Sequence, residues 1–146
     1  MAKYRHLLLA VDFTPEAELV TAKGHDLADQ NEAKVSIIHV VEYSSSMYPV
    51  GTELPESLIF DQRLVENAEL KLKELAITHG FPNAKRYVEL GIPKQEIIRV
   101  AEEKEADLII IGSHGRHGLQ LLLGSTANGV LHLAQCDVLA VRVGKK

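Results

Sequence analysis

Cysteine is almost missing from this chain. Cys136 stands alone, so neither an internal disulfide nor a zinc cluster of thiolates can form. It lies in an apolar run, where a buried small hydrophobe is the plain reading and a redox role the alternative. No apolar stretch approaches the roughly 18 residues needed to span a bilayer. The opening MAKYRHLLLAVD has too short an apolar core for a signal peptide and runs directly into structure. A cytoplasmic protein with no membrane segment is therefore expected. No block of Lys or Arg stands out, and the net charge is −4, from 16 basic and 20 acidic residues. That excludes nucleic acid or an anionic membrane surface as the expected main partner. The Gly-Lys-Ser/Thr of the Walker phosphate loop is absent, as is G-x-G-x-x-G. Nor is a Ser-His-Asp arrangement visible, and no catalytic residue is assigned.

At 146 residues, 46% of them apolar and 25% charged, the chain is expected to form one domain over 1–146 with a real core. Arg5 to Val11, RHLLLAV, is a nearly continuous apolar run and reads as a central first strand. Thr14-Pro15-Glu16 offers a cap, a proline at the first helical position and an acid in the first turn. The helix it starts should end near Asn31, with Ala17, Val20, Ala22, Gly24, Leu27 and Ala28 as its packing face. Lys34 to Val41, KVSIIHVV, is rich in β-branched residues and reads as the second strand. Tyr43 to Pro55 is the longest irregular stretch, the kind that often carries function. A long helix is expected over Glu56 to His79, with Leu58, Leu64, Val65, Ala68, Leu72 and Leu75 inward, and Gly80-Phe81-Pro82 ends it. A weaker strand over Ala84 to Leu90 and a helix from Pro93 to about Lys104 follow. Asp107 to Ile111, DLIII, is the fourth strand. A helix over Ser125 to Ala134 and a strand over Asp137 to Val143 complete the order.

Strands alternating with helices at this pitch indicate an α/β fold with a parallel sheet and helices on both faces. With right-handed crossovers and the first strand central, the order 3-2-1-4-5 places strands one and four side by side. Their diverging exits make the switch-point crevice where such Rossmann-like sheets bind ligands. Asp12 from strand one and the stretch GSHGRHGLQLLLGST after strand four converge there. A strand, a glycine-rich loop and a helix start are the parts of an anion cradle, because close backbone approach and free N–H groups favour phosphate. Ordinary tight turns are the plain alternative for the glycines.

These residues resemble the universal stress protein family, in LLLAVDFTPEA, KVSIIHVVE and ADLIIIGSHGRHGLQLLLGSTANGVLHLAQCDVLAV. The resemblance covers essentially the whole chain. It implies a five-stranded, adenine-nucleotide-hydrolase-like α/β fold, a cytoplasmic homodimer, a role in stress or growth arrest and, in one branch, bound ATP. Gly112-Ser113-His114-Gly115 and Gly124-Ser125 are similar to that branch's motif. Eight residues, Arg116 to Leu123, separate the two parts, one fewer than in the family's pattern. HVVEYSSSMYPVG and the long helix after it look more like A-type members, which are not regarded as ATP binders.

The resemblance implies these roles. Asp12 would sit near the ribose or, through Mg²⁺ and water, near the phosphates, with a cap or turn role as the alternative. Val40 would offer backbone polar groups to the adenine edge, or is simply a core strand residue. Gly112, Gly115 and Arg116 would contact ribose and phosphates, Arg116 as the cation. Gly124, Ser125 and Thr126 would hold the terminal phosphates, and Ser125 is also a good N-cap. His114 and His117 have no carboxylate or further His near them in sequence, so no metal site is assigned. His39 reads as a core histidine and His132 as a helix residue.

Three functions remain open: an ATP-binding regulatory module, a dimeric signalling scaffold without nucleotide, and a slow ATPase. Hydrolysis needs a positioned water and charge neutralisation, and Asp12 is the only evident acid for either. The edge strand, Val138 to Val143, carries no charge before Arg142, and antiparallel pairing of two copies there is expected.

Overall fold

The computed structural model describes residues 3–42, 55–113 and 124–142, and side chains 55–61 lie outside that description. The elements, in chain order, are β1 (His6–Ala10), α1 (Ala17–Asn31), β2 (Lys34–Glu42), α2 (Pro55–Thr78), β3 (Lys85–Gly91), α3 (Pro93–Glu103), β4 (Leu108–Gly112), α4 (Ser125–Leu133) and β5 (Asp137–Val141). All four strand pairings are parallel, and the sheet order is β3-β2-β1-β4-β5. This is the order expected from the hydrophobic runs. The irregular stretch expected over Tyr43 to Pro55 lies outside the described residues except for Pro55, which opens α2.

Alternation along the strands builds two cores. Leu7, Leu9, Ile37 and Ile110 face Val20 of α1 and Leu72 and Ala76 of α2. Leu8, Ile38, Ile109 and Ile111 face Ile97 and Val100 of α3 and Ala127 and Val130 of α4. Every β1 residue is buried, as a central parallel strand covered on both faces requires. Each large side chain hidden this way is worth about 1.5–3 kcal/mol.

Two local expectations are corrected. Helix α1 begins at Ala17, and Thr14 does not cap it. Its hydroxyl instead donates to Asp12 Oδ1 at 2.6 Å, while its carbonyl accepts from Ala17 N in a tight turn. Ala22 is exposed, and Thr21 takes the inward place expected for it. Ala17, Thr21 and Gly24 follow the three- and four-residue spacing of one face, and Ala22 falls off it.

Asp107, expected as the first residue of strand four, stops one residue short of it. Its carboxylate accepts from the backbone N–H groups of Arg5 and His6 at 2.9–3.2 Å. The buried His6 ring joins this lower edge, with Nδ1 donating to Lys104 O at 3.0 Å and Nε2 accepting from the Ser36 hydroxyl at 2.7 Å. A carbonyl can only accept, which fixes that tautomer. Burial pushes the His6 pKa down from its ordinary value. Cys136 is half-buried against the second core, and burial raises its thiol pKa, so thiolate is disfavoured.

Candidate functional site

The crevice lies where β1 and β4 end. Ala10 is level with Ile38 on one side and Ile111 on the other. Continuing that register two residues sets Asp12 level with Val40 of β2 and Ser113 after β4. By alternation these three share the α3/α4 face of the sheet with Ala10.

Val40 owes its availability to the early end of β1. Val11 N donates to Ile38 O at 3.0 Å, so Ile38 turns its backbone polar groups toward β1. Val40, two residues on, turns its own the same way. No sheet partner meets them, because β1 ends at Ala10; the Val11 carbonyl beyond it accepts from His39 Nδ1 at 2.9 Å. Among the described residues, the N–H and C=O of Val40 therefore face the crevice unpaired. His39 is held in place by Phe13, whose ring stacks on it at 4.1 Å, with Lys71 Nζ 5.5 Å from the Phe13 ring centre. This brace was not visible from sequence, since its members come from three separate elements.

Asp12 is half-buried, and its Oδ1 accepts from Thr14 N at 3.2 Å and from the Thr14 hydroxyl. These bonds make it a turn residue, the alternative expected for it, and fix its carboxylate at the crevice mouth.

Ser113 is the pivot of the other wall. Its N–H donates to Val141 O at 2.8 Å and its carbonyl accepts from Gly124 N at 2.6 Å. The second bond sets Gly124, at the start of α4, beside Ser113 at the end of β4. Gly115 and Arg116, expected as phosphate contacts, lie outside the described residues, as do His114 and His117.

Gly124, not Ser125, is the N-cap of α4, and no side chain caps that helix. Ser125 is its first residue and exposed, and Thr126 is half-buried. Because Gly124 O takes Asn128 N at 2.9 Å, the first-turn N–H groups of Ser125, Thr126 and Ala127 precede the helical ladder. They have no acceptor among the described residues. The helix dipole adds partial positive charge there. Chemically, the crevice offers an acceptor–donor backbone edge on one side, a carboxylate at the mouth and an anion-binding helix start on the other. Among the described residues no group of three His, Cys, Asp or Glu could hold a metal, and no helix is long and apolar enough to cross a membrane.

Comparison with known proteins agrees with this fold. The model of the Universal stress protein family matches residues 3–142. Universal stress protein A homolog 1 of Coxiella burnetii is 38% identical over 138 residues, 94% of this chain and 96% of that protein. The solved structure of hypothetical protein MJ0577 superposes with a TM-score of 0.83 at 26% identity, covering 99% of this chain and 100% of that one. Two more distant structures share the fold. One is a universal stress protein in complex with cAMP (TM-score 0.66, 18% identity, 96% and 98% coverage). The other is the Archaeoglobus fulgidus protein in complex with dAMP (TM-score 0.57, 21% identity, 96% and 99% coverage). With the family model spanning nearly its whole length, this chain belongs to the universal stress protein family.

Proposed function

We propose that the chain, acting as one domain, binds an adenine nucleotide in this crevice, ATP with Mg²⁺ first among candidates, as a cytoplasmic dimeric regulatory module of the stress response. The observation that carries the reading is the unpaired backbone edge of Val40 facing the same crevice as the uncapped start of α4. The first suits the donor and acceptor edge of adenine, the second suits phosphate. The adenine nucleotides of two fold neighbours favour the same ligand class. In this reading Val40 meets the base, and Asp12 and Gly112 lie along the ribose. Gly115 and Arg116 approach the phosphates, and Gly124, Ser125 and Thr126 hold the terminal ones. Mg²⁺ would neutralise phosphate charge, with Asp12 as the acid placed to reach it through water.

Asp12 is the acid that the register of β1 places at this crevice, and its Oδ1 is already committed to Thr14. A binding site with at most slow hydrolysis follows. The second reading, a dimeric scaffold without nucleotide, draws on the shortened spacing between Gly115 and Gly124.

Calorimetric titration of Mg·ATP separates them. Wild type is expected to bind, and Asp12→Ala to bind about tenfold more weakly, the weight of one charge-assisted contact. No heat with wild type would mean the shortened loop closes the crevice, leaving the scaffold reading.

A further inference from the structure

His6 sits at the far end of the sheet from the crevice and ties β1 to β2 and to the turn after α3. It lies level with Lys34, and by alternation its ring shares the α3/α4 face with Leu8 and Ala10. His6 and Ser36 are only 3% and 2% exposed, so the ring nitrogens depend on protein partners rather than water. Nδ1 donates to Lys104 O, and Nε2 accepts from the Ser36 hydroxyl. Lys104 opens the turn from α3 into β4. There Glu105 takes φ of +60°, a left-handed backbone uncommon outside glycine. Ala106 N, donating to Ala101 O, and Asp107 N, donating to His6 O, complete the turn.

A proton added to this ring is poorly accommodated. On Nε2 it would face the Ser36 oxygen, and the hydroxyl hydrogen would have to turn away within a buried space. The surrounding charges offer little help. Lys34 of β2 repels a cation, and Lys104 lays its own ammonium over the Tyr87 ring at 5.5 Å. Asp107 attracts it, but that carboxylate already accepts from the N–H groups of Arg5 and His6. The acids at the end of α3, Glu102, Glu103 and Glu105, are exposed, and Cys136 on this face is held as the thiol. Burial is the main cause that lowers the ring's pKa. Lys34 adds to it, and the carbonyls of Lys104 and Glu105 and the Asp107 charge oppose it.

We propose that His6 is an acid-sensitive latch: on taking up a proton it leaves its place between Ser36 and Lys104 O and frees the turn that leads into β4. The latch lies away from the crevice and does not depend on the nucleotide reading. Its direction follows from linkage. The released ring has the ordinary histidine pKa of about 6.5, and the closed ring a lower one. The latch therefore holds fully above about pH 6.5. As pH falls further, the closed form loses ground by about tenfold per pH unit, until the pKa of the closed ring is reached.

Amide hydrogen exchange of the full chain, followed by NMR from about pH 7.5 to about pH 5 and corrected for the intrinsic pH dependence of exchange, tests it. Ala106 and Asp107 are expected to be less protected than Leu9 and Ile110 at the sheet centre. Their protection should fall about tenfold per pH unit below about pH 6.5. His6→Gln should keep it level, because the glutamine amide can donate to Lys104 O and accept from Ser36 yet takes up no proton. The His6 ring of the wild type should itself titrate below about 6.5, a reading that needs no substitution. Turn amides that open only together with the sheet centre overturn the proposal. So does protection that ignores pH or falls equally in His6→Gln, and so does a ring that titrates at or above the ordinary value.

Discussion

Ala140→Pro is expected to sediment as a folded monomer under conditions where the wild-type chain sediments as a dimer. The reason lies in the parity of β5. Val141 O accepts from Ser113 N, and Val141 is level with Gly112 in the parallel ladder. In such a ladder a residue turns its N–H and C=O to the same neighbour, and the next residue turns away. Leu139 and Val141 therefore serve β4, whereas Val138 and Ala140 present their polar groups outward. Proline at 140 removes a donor that only a second chain would use, and edge strands tolerate proline there. Leu139→Pro is the control, because it breaks the ladder to β4 and should lower the melting temperature. The opposite edge is guarded: Lys85 and Arg86 of β3 are exposed, and Glu89 pairs with Arg99 at 2.9 Å. On β5 the only charge, Asp137, accepts from the Tyr4 hydroxyl at 2.6 Å, which leaves the rest of the strand bare for pairing. An Ala140→Pro chain that remains dimeric would sink pairing through β5.

Gly80→Ala is expected to cost about 3 kcal/mol, most of it through one histidine. Gly80 ends α2 in a left-handed turn, with φ at +86°. Gly80 N donates to Ile77 O and Phe81 N to Ala76 O, the paired bonds of a Schellman cap, with Phe81 and Ala76 packed in one core cluster. His25 of α1 secures the cap. Its Nε2 donates to His79 O at 2.7 Å and its ring stacks on Phe81 at 4.0 Å. An added Cβ at Gly80 would lie 2.6 Å from His25 Nε2. The left-handed backbone costs about 1–2 kcal/mol for a non-glycine residue. The displaced hydrogen bond and ring stack add about 1 kcal/mol each. In a His25→Ala background the same substitution should cost only the backbone part. Denaturant unfolding of the four proteins measures that coupling, and equal costs in both backgrounds would refute the role given to His25.

The sheet order was legible because RHLLLAV and DLIII contain short, nearly continuous apolar runs, the pattern of strands covered on both faces. The crevice followed from the order. Local chemistry was less legible, for physical reasons. Thr14 has the side chain of a cap, yet Asp12 lies two residues away and takes its hydroxyl. Ser125 has the same credentials, yet the backbone of Gly124 caps α4 without a side chain. Val40 could be named from resemblance, but the cause of its open edge is the end of β1 at Ala10, where the chain turns away and the Val11 carbonyl meets His39, 28 residues distant in sequence. Spacing along the chain does not encode that. Asp107 was hidden for the opposite reason: it adjoins the apolar run so closely that it reads as part of the strand, while its carboxylate holds β1 from outside.

The most direct measurement is an amide-resolved NMR titration of the labelled chain with Mg·ATP. Nucleotide held between the strand ends and the start of α4 should move the amides of Asp12, Val40, Ser113 and Ser125 to Ala127. Those lining the 620 Å³ groove between α2 and β3 should stay still. Shifts confined to that groove, or none up to saturating ATP, would contradict a nucleotide site at the switch point.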